Sequence, residues 1–242
     1  MNRTILHRAF TKLIGRLSAY DMLPAYEYVQ NVVEWHLNSY IGKNDRNDVK
    51  SFYIVGGYIG EEIPFLLQRY PFARIRVFEA SHRYQEKLEE RFANVDRVSI
   101  VKEAVSDEVG TAVFHETNSA GSGSLPRLGR SHLIPKSCAA EKFMVTTTTL
   151  DSVSGPEQID CLWIDVQGAE LMSSKEVRTL SRTKSVFTEV SVRSNLYQGG
   201  VTLNELKDFL APYGFQIVLL GLDRDNLTGN ALFVRQEYDN HI

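Results

Sequence analysis

Apolar and polar positions divide the chain into two regimes. Up to about residue 41, apolar residues recur every three or four positions. Leu6, Phe10, Leu13, Ile14 and Leu17 share one helical face, and Tyr26, Val29, Val33 and Leu37 share another. This spacing predicts a helix near the start and a second over 23–41. The polar stretch 42–50 (GKNDRNDVK) interrupts the pattern and is the best boundary in the chain. Beyond it, short apolar runs alternate with helical patterns. Strands are predicted over 51–55, 74–78, 98–101, 111–115, 143–148, 159–164, 185–190, 215–220 and 231–235. Helices fall over 61–70, 83–92, 169–180 and 203–210. Alternation of this kind implies an α/β fold: a doubly wound, mostly parallel sheet with helices on both faces. Residues 215–235 hold two strands with no helix between them, so these should pair antiparallel. The expected domains are a helical extension over 1–48 and a main domain over 49–242.

Chemistry-bearing residues gather where these strands end. The first strand runs into Val55-Gly56-Gly57-Tyr58-Ile59-Gly60, and glycines there allow a tight turn and close backbone approach to a ligand. The second strand ends in Glu79, followed by Ala80. An acid about 20 residues beyond such a turn can accept both hydroxyls of a ribose. After the third strand, Glu103 can accept from an adenine amino group and Ala104 leaves room for the ring. The 159–164 strand leads to Asp165, then Gln167 and Glu170, and the next strand to Glu189. Open α/β sheets bind ligands along this edge. So many carboxylates disfavour a phosphate-rich ligand and suit a cationic one, such as a sulfonium. Each acid also has a plain structural reading: Glu79 and Asp165 as helix caps, Glu170 as a first-turn acid, Glu189 as a solvated strand end.

Composition narrows the remaining options. With 242 residues and a net charge of −3, the chain has a sizeable core and no basic stripe of the kind that binds nucleic acid. Cys138 and Cys161 occupy unlike contexts without metal spacing, which reads as free thiols in a reducing, cytoplasmic setting. No apolar run reaches the length of a membrane span. The first 20 residues lack acids and carry Arg3, Arg8, Lys12 and Arg16. This segment is expected to dock on its own domain, with peripheral membrane contact as the other reading. The Gly-, Ser- and Pro-rich stretch over 118–142 carries Arg127, Arg130, His132 and Lys136, and reads as either a lid over an anionic substrate or a solvated loop.

The ordered series Phe78-Glu79, Ala104-Val105-Ser106-Asp107, Gly110, Ser124-Leu125, Thr149-Leu150-Asp151-Ser152 and Ile164-Asp165-Val166-Gln167-Gly168-Ala169-Glu170 resembles the FkbM family of S-adenosylmethionine-dependent methyltransferases over roughly 52–235. The resemblance implies a seven-stranded, Rossmann-like class I methyltransferase fold and methylation of a hydroxyl on a sugar, glycan or small natural product. Carried over by position, Val55, Gly56, Gly57 and Gly60 would hold the methionine end of the cofactor. Glu79 and Ala80 would meet the ribose, Glu103 and Ala104 the adenine, and Asp165, Gln167 and Glu170 the reacting centre. Asp165 is the first choice for general base, with Glu189 and His132 as alternatives. A metal held by Asp165 and Glu189 lacks a third spaced ligand and is not expected. The family's glycine motif usually begins with Asp and continues Gly-Ala-Asn, where this chain has Ile54, Gly57 and Tyr58. That departure keeps a second reading open: an inactive, methyltransferase-like scaffold that binds a partner. A charged or amide group near the methionine amino position would separate the two. Oligomeric state is not legible.

Overall fold

In the computed structural model the described residues are 46–117, 123–125, 140–166, 177–192, 201–222 and 228–238. The N-terminal helices expected within 1–45 lie outside them, as do His132, Cys138, Gln167, Glu170 and the start of the helix expected from 169. Ten strands and five α-helices make up the described part. In chain order these are β1 (Ser51–Val55), α1 (Ile63–Arg69), β2 (Arg74–Phe78), α2 (His82–Phe92), β3 (Val98–Val101), β4 (Ala104–Val105) and β5 (Gly110–Thr117). There follow β6 (Ala140–Thr148), α3 (Leu150–Val153), β7 (Ile159–Ile164), α4 (Val177–Ser181), β8 (Thr183–Ser191), α5 (Leu203–Leu210), β9 (Phe215–Leu222) and β10 (Thr228–Arg235).

The main sheet has seven strands in the order β3-β2-β1-β7-β8-β10-β9. All pairs are parallel except those made by β10, which runs antiparallel to both β8 and β9. Strands β1 and β7 meet at the centre, with Ile54 beside Trp163 and Val55 beside Ile164. Every residue of both strands is buried, as their mostly apolar runs require, and buried Asp160 is paired with Lys184. Alternate residues then separate to the two faces. Phe52 and Ile54 join Ile63, Leu66, Leu88 and Phe92 of α1 and α2. Tyr53 and Val55 join Leu150, Leu180, Leu206 and Leu210 of α3, α4 and α5. The sheet is thus wound on both faces. Thr149 and Thr202 begin α3 and α5 with reciprocal capping boxes to Ser152 and Glu205.

The hairpin expected over 111–148 forms, but as a separate sheet in the order β4-β6-β5. Its long connection is shorter than the sequence pattern indicates, because β6 already begins at Ala140, paired with Thr117. Within the connection, Ser124 exchanges two backbone hydrogen bonds with His115, at 2.8 and 3.0 Å. Among the described residues no helix is long and apolar enough to cross a membrane.

The central strands set the stability. Leu162 is fully buried between the two helical layers. Leu162→Ala is expected to cost about 3 kcal/mol through lost burial and a residual cavity. The check is a lowered urea midpoint with an unchanged m-value.

Candidate functional site

The site grows out of the turn after β1. The Gly56 and Gly57 N–H groups both donate to the Phe78 carbonyl, at 3.0 and 3.1 Å. Gly56 takes φ +87, and a Cβ there would lie 1.8 Å from the Asp165 carbonyl oxygen. Only glycine lets β1 turn this close to the end of β7. Two residues on, Tyr58 takes φ +46, the one non-glycine positive φ among the described residues.

Glu79 ends β2 with 6% of its surface exposed. Its Oε2 accepts the Tyr58 N–H at 2.7 Å and its Oε1 accepts the Ser81 N–H at 2.7 Å. Burial pushes this carboxyl up to about 7, against the pull of those hydrogen bonds, and the nearby Glu116 adds a smaller push. Glu116 is tied in through Ser81, whose Oγ donates to its carboxylate at 2.8 Å. Gln85, one turn into α2, donates to the Glu79 carbonyl at 2.8 Å. The acid at the strand end is therefore held from the glycine turn, from α2 and from the second sheet.

A cavity opens beyond the carboxyl ends of β1, β2 and β7, the edge where open α/β sheets bind ligands. One wall carries Val55, Gly56 and Tyr58, another Glu79, Ala80, Ser81 and Tyr84. Glu103 and Ala104 follow from the end of β3, and Asp165 and Val166 from the end of β7. The second sheet closes it with Phe114, Gly123 and Leu125. A Cβ on Gly123 would come within 2.6 Å of the Phe114 ring, so glycine there is what lets the ring lie flat against this turn.

Seven residues expected at a cofactor thus line one cavity: Val55, Gly56, Glu79, Ala80, Glu103, Ala104 and Asp165. Gly57 and Gly60 do not line it. A Cβ on Gly57 would press into Val77 at 2.1 Å, and one on Gly60 (φ +65) into Phe92 and Ile63 at 2.7 and 2.8 Å. They shape the loop from its core side. Glu189 also differs from expectation. Strand β8 continues to Ser191, so Glu189 sits inside it, half-buried, opposite Asn230. Register places Ile164 beside Thr188, so Glu189 stands level with Asp165 one strand away, outside the cavity lining. Tyr58, Ser81, Tyr84, Phe114 and Leu125 were not singled out as lining residues from the sequence. Ser81 and Tyr84 were within reach, since they follow Glu79 by two and five positions. Phe114 and Leu125 arrive only through the fold of the second sheet.

Glu62 is a further residue that sequence reading missed. It stands at the N-cap of α1, yet its side chain makes no capping hydrogen bond. Part of its surface is open, but the protein packed around the carboxyl is dense enough that burial raises it to about 7. The charges of Asp165 and Glu61 push the same way. Position 54, by contrast, is filled by an isoleucine wholly enclosed in the core. Among the described residues no group of three or more His, Cys, Asp or Glu is arranged to hold a metal ion.

Residues 55–217 match the model of the methyltransferase FkbM domain. The chain belongs to the FkbM methyltransferase family. A 2-O-methyltransferase of Sinorhizobium fredii (strain NBRC 101917 / NGR234), NoeI, is 32% identical over 187 residues, covering 72% of this chain and 70% of that protein. Among solved structures, the magnesium protoporphyrin IX methyltransferase of Synechocystis PCC 6803 has a TM-score of 0.48 at 12% identity, covering 97% of this chain and 100% of the other. The pyocyanin biosynthetic protein PhzM has a TM-score of 0.42 at 14% identity, and the match covers 86% of this chain but 56% of that one. At those levels neither structure bears on the chemistry. As an FkbM member the chain is an S-adenosylmethionine-dependent methyltransferase, and its main sheet is the seven-stranded, Rossmann-like one of that class.

The two raised carboxyls predict a pH dependence. The folded state keeps protons on Glu62 and Glu79 up to about 7, whereas an unfolded glutamate releases its proton near 4.5. Folded protein therefore holds more protons between those values, and its stability falls as pH rises through that window. The ligand-free protein is expected to melt lower at about pH 8 than at about pH 5, and Glu62→Gln to flatten the slope. Thermal melts across that range check it.

Proposed function

We propose that this chain methylates a hydroxyl of a sugar, glycan or other small natural product. The observation that carries the reading is one cavity joining a ribose-type acid, a Cβ-free turn and an exposed carboxylate at the end of β7. S-adenosylmethionine, when bound, supplies an electrophilic methyl group on a positively charged sulfur. Glu79 keeps lone pairs beyond its two backbone hydrogen bonds and accepts from the ribose hydroxyls. Glu103 accepts from the adenine amino group, while Ala80 and Ala104 leave room for the nucleoside. Gly56 admits it close to the backbone. Asp165, exposed at the strand end, accepts the proton of the acceptor hydroxyl as general base. Glu189, level with it on β8, is the alternative among the described residues. His132, Gln167 and Glu170 stay candidates from sequence. Bringing the hydroxyl into line with the methyl group removes several kcal/mol of barrier, on the order of that seen for oriented reactants. The name of the NoeI relative, a 2-O-methyltransferase, supports oxygen as the acceptor.

The inactive-scaffold reading rested on the missing acid at position 54. Glu62 weakens that reading, because its carboxyl, close enough to Asp165 for their charges to interact, suits the ammonium group of the methionine end. Glu62→Gln is expected to weaken S-adenosylhomocysteine by about tenfold, the scale of one charged hydrogen bond. It should leave 5′-methylthioadenosine, which lacks the amino-acid end, unaffected. Equal effects on both ligands would place Glu62 elsewhere.

Calorimetric titration tests the whole reading. S-adenosylmethionine and S-adenosylhomocysteine are expected to bind in the micromolar range, with binding lost in Glu79→Ala. With an acceptor in hand, Asp165→Asn should lower kcat by about 100-fold, at the low end for a lost general base, with little change in acceptor KM. Absence of binding by either ligand at millimolar concentration would return the chain to the scaffold reading.

A further inference from the structure

The glycine turn of the cavity contains one feature that a ligand-free packing account leaves unexplained. Three of its residues have positive φ: Gly56, Tyr58 and Gly60. At Gly56 and Gly60 the surroundings forbid a Cβ. Tyr58 carries a full aromatic side chain in the same backbone region, where a bulky residue is an outlier. Such an outlier persists only when its surroundings over-determine it, and it points to function. Its backbone N–H is spent on Glu79 Oε2 at 2.7 Å. Its ring is not buried in the core. It lines the cavity, edge-on to Tyr84 with ring centroids 4.6 Å apart at 65°. Tyr84 is 5% exposed and is itself braced by Arg83 and Lys87, whose charged ends lie 5.7 and 5.3 Å from its ring. The Tyr58 ring is therefore paired with a braced aromatic partner at the cavity, while its backbone N–H is tied to the carboxylate of Glu79.

Resting on the reading of Glu79 as the ribose acid, we propose that Tyr58 is a specificity-determining residue whose ring packs against the ribose of the bound adenosine. Its N–H orients Glu79 toward the ribose hydroxyls while the ring covers the sugar from the open side. The pair selects for a nucleoside thioether through its sugar and is indifferent to the amino-acid tail. Tyr58 acts on binding and takes no part in proton or methyl transfer.

The test compares Tyr58→Gly and Tyr58→Phe with the wild-type chain, using S-adenosylhomocysteine and 5′-methylthioadenosine as titrants and thermal melting as a control. Glycine adopts the left-handed backbone freely and keeps the N–H, so Tyr58→Gly removes the ring and brings no new side chain to the cavity. The expected result is a Kd about tenfold weaker for both ligands, with a single cooperative melt retained. That loss corresponds to about 1.4 kcal/mol, within reach of one aromatic contact. Tyr58→Phe should keep binding near the wild-type value. Affinities within about twofold of wild type in the ring-less variant would overturn the proposal. So would weakening of S-adenosylhomocysteine alone, which would put the ring at the methionine end. Failure of the wild-type chain to bind either ligand would instead sink the ribose reading of Glu79, and this inference with it.

Discussion

A single carboxylate joins separate parts of this structure at the carboxyl edge of the sheet. Glu79 receives one backbone N–H from the turn after β1 and one from the start of α2. Ser81, which gives it the second, also reaches Glu116 on the small sheet. Gln85 returns from α2 to the Glu79 carbonyl. Three segments far apart in sequence are thereby registered on one side chain. The cavity takes its shape from that registration: the Tyr58 wall, the Ser81–Tyr84 wall and the Phe114 wall all answer to it. The carboxylate that accepts these backbone donors also lines the cavity.

The same arrangement sets two requirements against each other. Burial favours the protonated form of Glu79, while acceptance of ribose hydroxyls favours the ionised one. Glu62 faces a parallel conflict with Asp165 nearby. Both acids are raised to about 7, so both release protons near neutral pH, where ionisation works against burial.

Much of the framework is legible from local patterning. The 51–55, 74–78, 98–101 and 159–164 strands coincide with the structure residue for residue. The central two are buried throughout and mostly apolar, while the outer two are short runs marked by their β-branched residues. The antiparallel pairing of the last two strands followed from the lack of a helix between them. Glu79 was identifiable from its distance to the glycine turn, and Glu103 and Asp165 from their places at strand ends. Gly57 and Gly60 were assigned to the ligand because sequence spacing does not say which side of a turn faces the core. Glu189 was placed at a strand end because a polar residue on a half-buried strand looks the same as its terminus.

Sequence alone determined the layered α/β architecture, the family and the edge of the sheet that carries the chemistry, since each depends on periodicity or on spacing along one segment. Tertiary structure alone decided which residues share the cavity. Phe114 and Leu125 enter it because a hairpin folds away into a second sheet. Asp165 stands beside the glycine turn because Gly56 lets β1 pass close to the end of β7. Tyr58 lines the cavity and meets the Tyr84 ring from a left-handed backbone conformation. None of these depends on neighbouring residues in the chain. Each is a contact between separate segments or a dihedral angle set by surrounding packing, and local pattern carries no record of either.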